Sequence, residues 1–256
     1  MHNSFSIFIA LLKRELLEHK NLWRVPFVLL VIAVLLKLSF VFGNLSIEID
    51  FSAIKPRDDT IDSVFDSAIF KALSFMNFFV MVIMFIVAIF YALSCLYEER
   101  RDDSVLFWRS LPISDSITVL SKLFIPLVIV PLIIVVCQAL NSVIFLSVNA
   151  TTYLNGAFLG LSLALLKKIL WSLLPMIAWC LFCSVIAKKT PFLLAFVTPI
   201  ILVLVDNLFL NGEVSEAFII NRVTGVSQFS MPALLSGVIF SVVCIAGVIF
   251  KRAQKI

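Results

Sequence analysis

The sequence predicts an all-α integral membrane protein with six transmembrane helices in a single domain, residues 1–256. Composition is the first reason. Of the 256 residues, 62% are hydrophobic and 14% charged, whereas soluble domains average roughly 45–50% apolar and about 25% charged. The second is run length: apolar stretches near the roughly 20 residues a spanning helix needs recur at about 26–42, 72–96, 123–148, 169–187, 191–210 and 232–250. The third is the placement of charge, which falls between these runs and mostly on one side of them. Glycine occurs only 7 times, so neither a collagen-like nor a low-complexity chain fits.

The first 25 residues do not read as a cleavable signal, because their apolar part is short and precedes the charges. Phe5, Phe8, Ile9, Leu12 and Leu16 recur at helical spacing, with Lys13, Arg14, Glu18 and Lys20 on other faces. That pattern predicts an amphipathic helix in the membrane surface, or an ordinary basic anchor that only sets orientation. The first span starts at Pro26, a position proline tolerates at a helix start. Lys37 lies inside this run and either snorkels outward or meets a substrate or ion. Residues 43–71 are polar and acidic and form an external loop, solvated or attractive to a cationic substrate.

The second span holds one strongly polar residue, Asn77. In the third, Pro126 and Pro131 predict a kink, and Gln138 and Asn141 sit deep inside. Amides at that depth either line a substrate path or join helices. Residues 149–168 begin as a polar external turn, and 157–166 then read as a short helix dipping toward the bilayer. Gly156 and Gly160 in this stretch make a weak GxxxG. Pro175 bends the fourth span, and Lys188 and Lys189 form a tight turn before the fifth. Asp206, near the outer end of the fifth span, is the only carboxylate in an apolar run and a candidate contact for substrate or ion. Residues 211–231 are a last external loop, with an apolar patch at 217–220 that an interfacial helix would explain. The sixth span closes on Lys251, Arg252 and Lys255.

The segment Tyr97–Lys122 is the longest strongly charged stretch between two long apolar runs. Asp102 and Asp103 stop the arriving helix, and Asp103 caps a short one over about 104–110. Pro112 ends that helix by forcing Leu111 out of the α region. Ser114 caps the next helix, with Asp115 in its first turn where the dipole favours an anion. The short helix carries Val105, Leu106, Phe107 and Trp108 without a break. Four large apolar residues in a water-facing loop need a cover. They either dock a soluble partner, each burial worth roughly 1.5–3 kcal/mol, or lie in the headgroup layer.

This segment resembles the cytoplasmic loop of type-2 ABC exporter permeases, membrane subunits that work with a separate ATPase. The resemblance rests on Glu99-Arg100, Ser104, Phe107-Trp108, Leu111-Pro112-Ile113-Ser114 and Lys122. Asp103 stands where the family usually has Gly. It implies that residues 104–110 are a coupling helix between spans two and three, seated in a groove of the ATPase, and that the N-terminal helix is an interfacial elbow. It also implies two ATPase subunits, which hold ATP and magnesium, and a second permease subunit, identical or homologous. The partner-binding candidates that follow are Glu98, Glu99, Arg100, Arg101, Ser104, Phe107, Trp108, Leu111 and Pro112. The substrate-path candidates are Asn77, Gln138, Asn141 and Asp206.

With this segment inside the cell, thirteen of the twenty basic residues face inward. The positive-inside rule then places both termini in the cytoplasm of a cell (inner) membrane protein. Phosphate-cradling G-x-x-x-x-G-K-[ST], HExxH and G-x-S-x-G motifs are all missing, and only two histidines occur. The chain therefore reads as non-catalytic, with no metal or cofactor of its own and no nucleic-acid stripe. The five cysteines all fall in apolar runs and read as small buried hydrophobes. The competing readings are a secondary transporter or channel without an ATPase, supported by Lys37 and Asp206, and a membrane enzyme, which the missing motifs disfavour.

Overall fold

A computed structural model of the chain describes residues 4–42, 68–101, 114–146, 167, 169–187, 189–209, 212 and 231–254. Every element among them is helical: α1 (Ser4–Glu18), α2 (Asn21–Phe42), α3 (Ala68–Arg101), α4 (Asp115–Phe124), α5 (Val130–Leu146), α6 (Leu174–Ile186), α7 (Pro191–Phe209) and α8 (Met231–Gln254). A π-helical turn at Ile125–Ile129 joins α4 to α5, and a second at Ile169–Leu173 leads into α6. Five stretches of 19 to 31 residues are long and apolar enough to cross a membrane, and Trp171–Ile186 is a shorter apolar helix. The chain is thus an all-helical, multi-pass membrane protein, with five full-length candidate spans among the described residues.

The prolines explain the irregular turns. Proline supplies no N–H to the i−4 carbonyl, and its ring clashes there. Pro126 lies within the first π turn, Pro131 follows it, and Pro175 follows the second. A wider turn is a common way to absorb that conflict. In α7 the accommodation is different. Pro199 leaves the Ala195 carbonyl without its helical donor, and the Trp179 indole N–H from α6 donates to that oxygen at 3.1 Å. Pro26 departs from the sequence expectation. The helix begins at Asn21, so Pro26 lies inside α2 rather than at its start.

The chain divides into two compact units. One comprises Met1–His19, Val87–Ile129 and Leu165–Ile256. Its centre is α6, where Ile177, Ala178, Cys180, Leu181, Cys183 and Ser184 are all buried. The most extensive helix pairing among the described residues is α6 with α8, and Gly247 of α8 sits against the Phe182 ring. Along α8 the buried stripe is Gly237, Ser241, Cys244, Val248 and Arg252, at helical spacing. By contrast α7 buries little besides Ala195 and Asp206, leaving the apolar surface that lipid requires.

The other unit comprises Lys20–Ile86 and Val130–Ala164. Here α2 packs on α5. The Lys37 ammonium donates to the Ile144 carbonyl in the last turn of α5. Such C-terminal carbonyls have no helical donor, so a lysine there completes the helix end. Lys37, half-buried, is thus engaged by a helix-end carbonyl of its own chain. Polar side chains elsewhere in the spans bond back to their own helix: Ser142 to Gln138, Thr198 to Leu194, Ser241 to Gly237.

All five cysteines are buried and free, as their placement in apolar runs predicts.

Candidate functional site: a buried charge network joining four helices

The network starts in α1. The buried positions of this helix are Leu11 and Glu15, so a carboxylate occupies the apolar stripe. Phe8 packs edge-on against Phe124 of α4, with centroids 5.5 Å apart, and holds that face of α1 down. Ile9 and Leu17, by contrast, are exposed.

Glu15 Oε1 accepts from the Lys122 ammonium at 2.6 Å, and Glu15 Oε2 accepts from the Tyr91 hydroxyl at 3.0 Å. Lys122, only 1% exposed, also lies 3.1 Å from Glu99 Oε1 and donates to the Cys95 carbonyl at 3.2 Å. The ammonium thus donates to two acceptors, Glu15 and the Cys95 carbonyl, and pairs with Glu99 as a charge alone. Glu99 Oε2 accepts from Arg252 Nη1 at 3.0 Å, and Arg252 Nε donates to Asp115 Oδ1 at 2.8 Å. Arg14 Nη1 stands 3.9 Å from Glu99. Three carboxylates meet three cations, drawn from α1, α3, α4 and α8. Buried ions are tolerable only with such pairing and hydrogen bonding, and removing one member strands the others.

The network lies where α3 ends and α4 begins. The first helix is described as far as Arg101, and the second is capped by Ser114, whose side chain accepts from Ile117 N–H. The Ser114 cap and Asp115 in the first turn are where the sequence places them, while the stop expected at Asp102 and Asp103 lies outside the described residues. Arg100 closes a further end: its guanidinium donates to the Ser184 and Ala187 carbonyls at 2.7 and 2.6 Å, satisfying the C-terminus of α6.

Of the partner-binding candidates, Glu98 and Arg101 are exposed, while Glu99 and Arg100 are engaged inside the chain. Ser104, Phe107, Trp108, Leu111 and Pro112 lie outside the described residues, as do the short helix expected at 104–110, the one at 157–166 and the patch at 217–220.

Three substrate-path candidates fall in the second unit. The Asn141 side-chain N–H₂ donates to Asn77 Oδ1 at 3.1 Å, both residues buried. Gln138 lies one turn from Asn141 on α5 and is buried too. Gln138 Oε1 and Asn141 Oδ1 have no hydrogen-bond donor among the described residues. Buried acceptors left so cost roughly 1–3 kcal/mol each. Asp206 is buried in the first unit, and its backbone carbonyl accepts from Gly212 N–H at 3.3 Å. Gly212 has φ 82°, a left-handed conformation suited to glycine. No group of three His, Cys, Asp or Glu among the described residues is arranged to hold a metal.

Glu15 and Arg252 are site residues that sequence reading missed, and Lys122 entered it only as a motif residue with no role. For Glu15 the signal was present: it follows Leu11 by one turn and adjoins Leu16, inside the apolar stripe. His19, the next residue on that stripe, rests edge-on against Tyr91 at 4.7 Å. Burial holds its imidazole below the ordinary 6.5, opposed by Glu15 and assisted by Lys122. The folded chain therefore binds fewer protons here than the unfolded one just below pH 6.5. This contribution to stability is complete above 6.5 and is lost as pH falls below it. Melting of the solubilised protein should show the loss on acidification, and His19→Gln should lessen it. An identical pH profile in that variant would assign the effect elsewhere.

No protein-family model, curated protein or solved structure matches the chain.

Proposed function

We propose that the chain is the six-span permease subunit of an ATP-binding-cassette exporter, with both termini in the cytoplasm and residues 102–113 as the docking segment for a separate ATPase. The observation that carries this reading is the charge network. A short apolar segment that receives force from a soluble motor needs stems that do not yield. Here α3 and α4, on either side of the segment, are tied together and to α1 and α8 through Glu99, Lys122, Arg252 and Asp115. The motifs of the segment add the choice of motor. Glu98, exposed on the last turn of α3, faces the solvent where partner charges would meet it, whereas Glu99 and Arg100 serve the chain's own fold. The short helix Trp171–Ile186 together with its π turn supplies the sixth crossing. The orphan amide oxygens of Gln138 and Asn141 would receive donors on a substrate moving through the second unit.

The test is Trp108→Ala. Truncating a central aromatic anchor typically costs about 2 kcal/mol or more, roughly thirtyfold in affinity. The wild-type chain, purified from its native membrane, should carry an ATP-hydrolysing subunit. The variant should insert normally and lose that subunit. Full retention of the ATPase by Trp108→Ala, or reaction of a cysteine at 108 with a membrane-impermeant thiol reagent from outside the cell, would overturn the reading. ATP-independent transport driven by an ion gradient would favour the secondary transporter instead.

A further inference from the structure

Arg252 holds two carboxylates that flank one segment. Glu99 stands two residues before the end of α3, and Asp115 is the first residue of α4. Nη1 binds Glu99 at 3.0 Å and Nε binds Asp115 at 2.8 Å, with Arg252 itself 8% exposed. A guanidinium presents its donors in a fixed planar fork, so two carboxylates on the same fork are held at a set separation. We infer that Arg252 is a positioning residue, a clip from α8 that fixes the spacing of the two stems from which residues 102–113 emerge. The charge balance of the network alone would be met by lysine, which is a point charge on a flexible stem. The fork geometry is what a spacing role requires. Lys122 holds Glu99 from a second side but reaches Glu15 rather than Asp115, so it cannot replace the clip.

The clip rests on the proposed function only for its purpose, namely that the segment it frames receives a partner. Its geometry is testable without that partner. Spin labels on cysteines introduced at Glu98 and Ser116, both exposed, report the stem separation in the full chain in nanodiscs. The native cysteines are buried, which directs labelling to the introduced pair. The unsubstituted network should give one narrow distance peak. Arg252→Lys keeps the charge and loses the fork, and it should lose the narrow peak while melting near the parent temperature. Asp115→Asn removes one arm at a half-exposed position and should do the same. Arg14→Gln, which withdraws a charge from Glu99 without touching the clip, should leave the peak intact. A peak unchanged by both Arg252→Lys and Asp115→Asn overturns the inference, as does equal broadening by Arg14→Gln. Because no ATPase enters the measurement, these outcomes are independent of the Trp108 result.

Discussion

Lys122→Met is expected to be the most damaging single substitution in the described part of the chain. The replacement is apolar and of similar length, so packing alone would tolerate it. What it removes is the cation between Glu15 and Glu99, at 2.6 and 3.1 Å. Glu99 keeps Arg252, but Glu15 retains, among the described residues, the Tyr91 hydroxyl at 3.0 Å and the His19 imidazole at 3.8 Å, with no permanent cation at close range. Breaking a buried ion pair from one side costs about 3–5 kcal/mol, because the stranded charge stays buried. That is a large part of the roughly 5–15 kcal/mol by which folded proteins exceed their unfolded states. The solubilised variant should melt far below the parent or fail to accumulate. Neutralising the stranded partner should then help: Glu15→Gln added to Lys122→Met should recover part of the loss. Direct contact requires such non-additivity. If the two losses simply summed, Glu15 and Lys122 would be energetically independent and the network would be a crowd of separate pairs.

The second large effect lies at the α6–α8 seam. A Cβ at Gly247 would stand 2.8 Å from Phe182 Cε2 and 3.3 Å from Cδ2. Gly247→Ala therefore requires the Phe182 ring to turn aside, which a half-buried ring can partly do. Gly247→Leu requires the helices to separate. Overpacking of this kind costs about 1–3 kcal/mol, and the pairing it opens is the most extensive among the described residues. The leucine variant should melt well below the alanine variant. Phe182→Ala, which vacates the ring's volume, should restore part of the stability of Gly247→Leu. A leucine variant that melts with the parent, or one that Phe182→Ala fails to rescue, would remove the steric account.

Much of the scaffold was legible in the sequence because its causes are local. Membrane-length apolar runs, the Ser114 cap and the irregular turns around Pro126, Pro131 and Pro175 each follow from residues within a few positions. Locality also explains the errors. Pro26 was placed at a helix start because its apolar run begins there, whereas α2 begins with polar Asn21. Glu99 and Arg100 entered as partner-binding candidates through the resemblance, and the groups they meet within the chain lie far off in sequence. One is buried between Lys122 and Arg252, and the other completes the end of α6.

Composition and periodicity by themselves determined that this chain is helical, lives in a membrane and interrupts its apolar runs with a charged segment. Helix propensity, hydrophobic length and capping act over one or two turns, so the order of residues suffices for them. Only the tertiary structure decided which charges face one another. Glu15 and Lys122 are 107 positions apart and Glu99 and Arg252 are 153, and nothing in a linear pattern ranks such pairs. The selection comes from burial: once α1, α3, α4 and α8 pack, each charge carried inside must find its opposite within a few ångströms or be expelled.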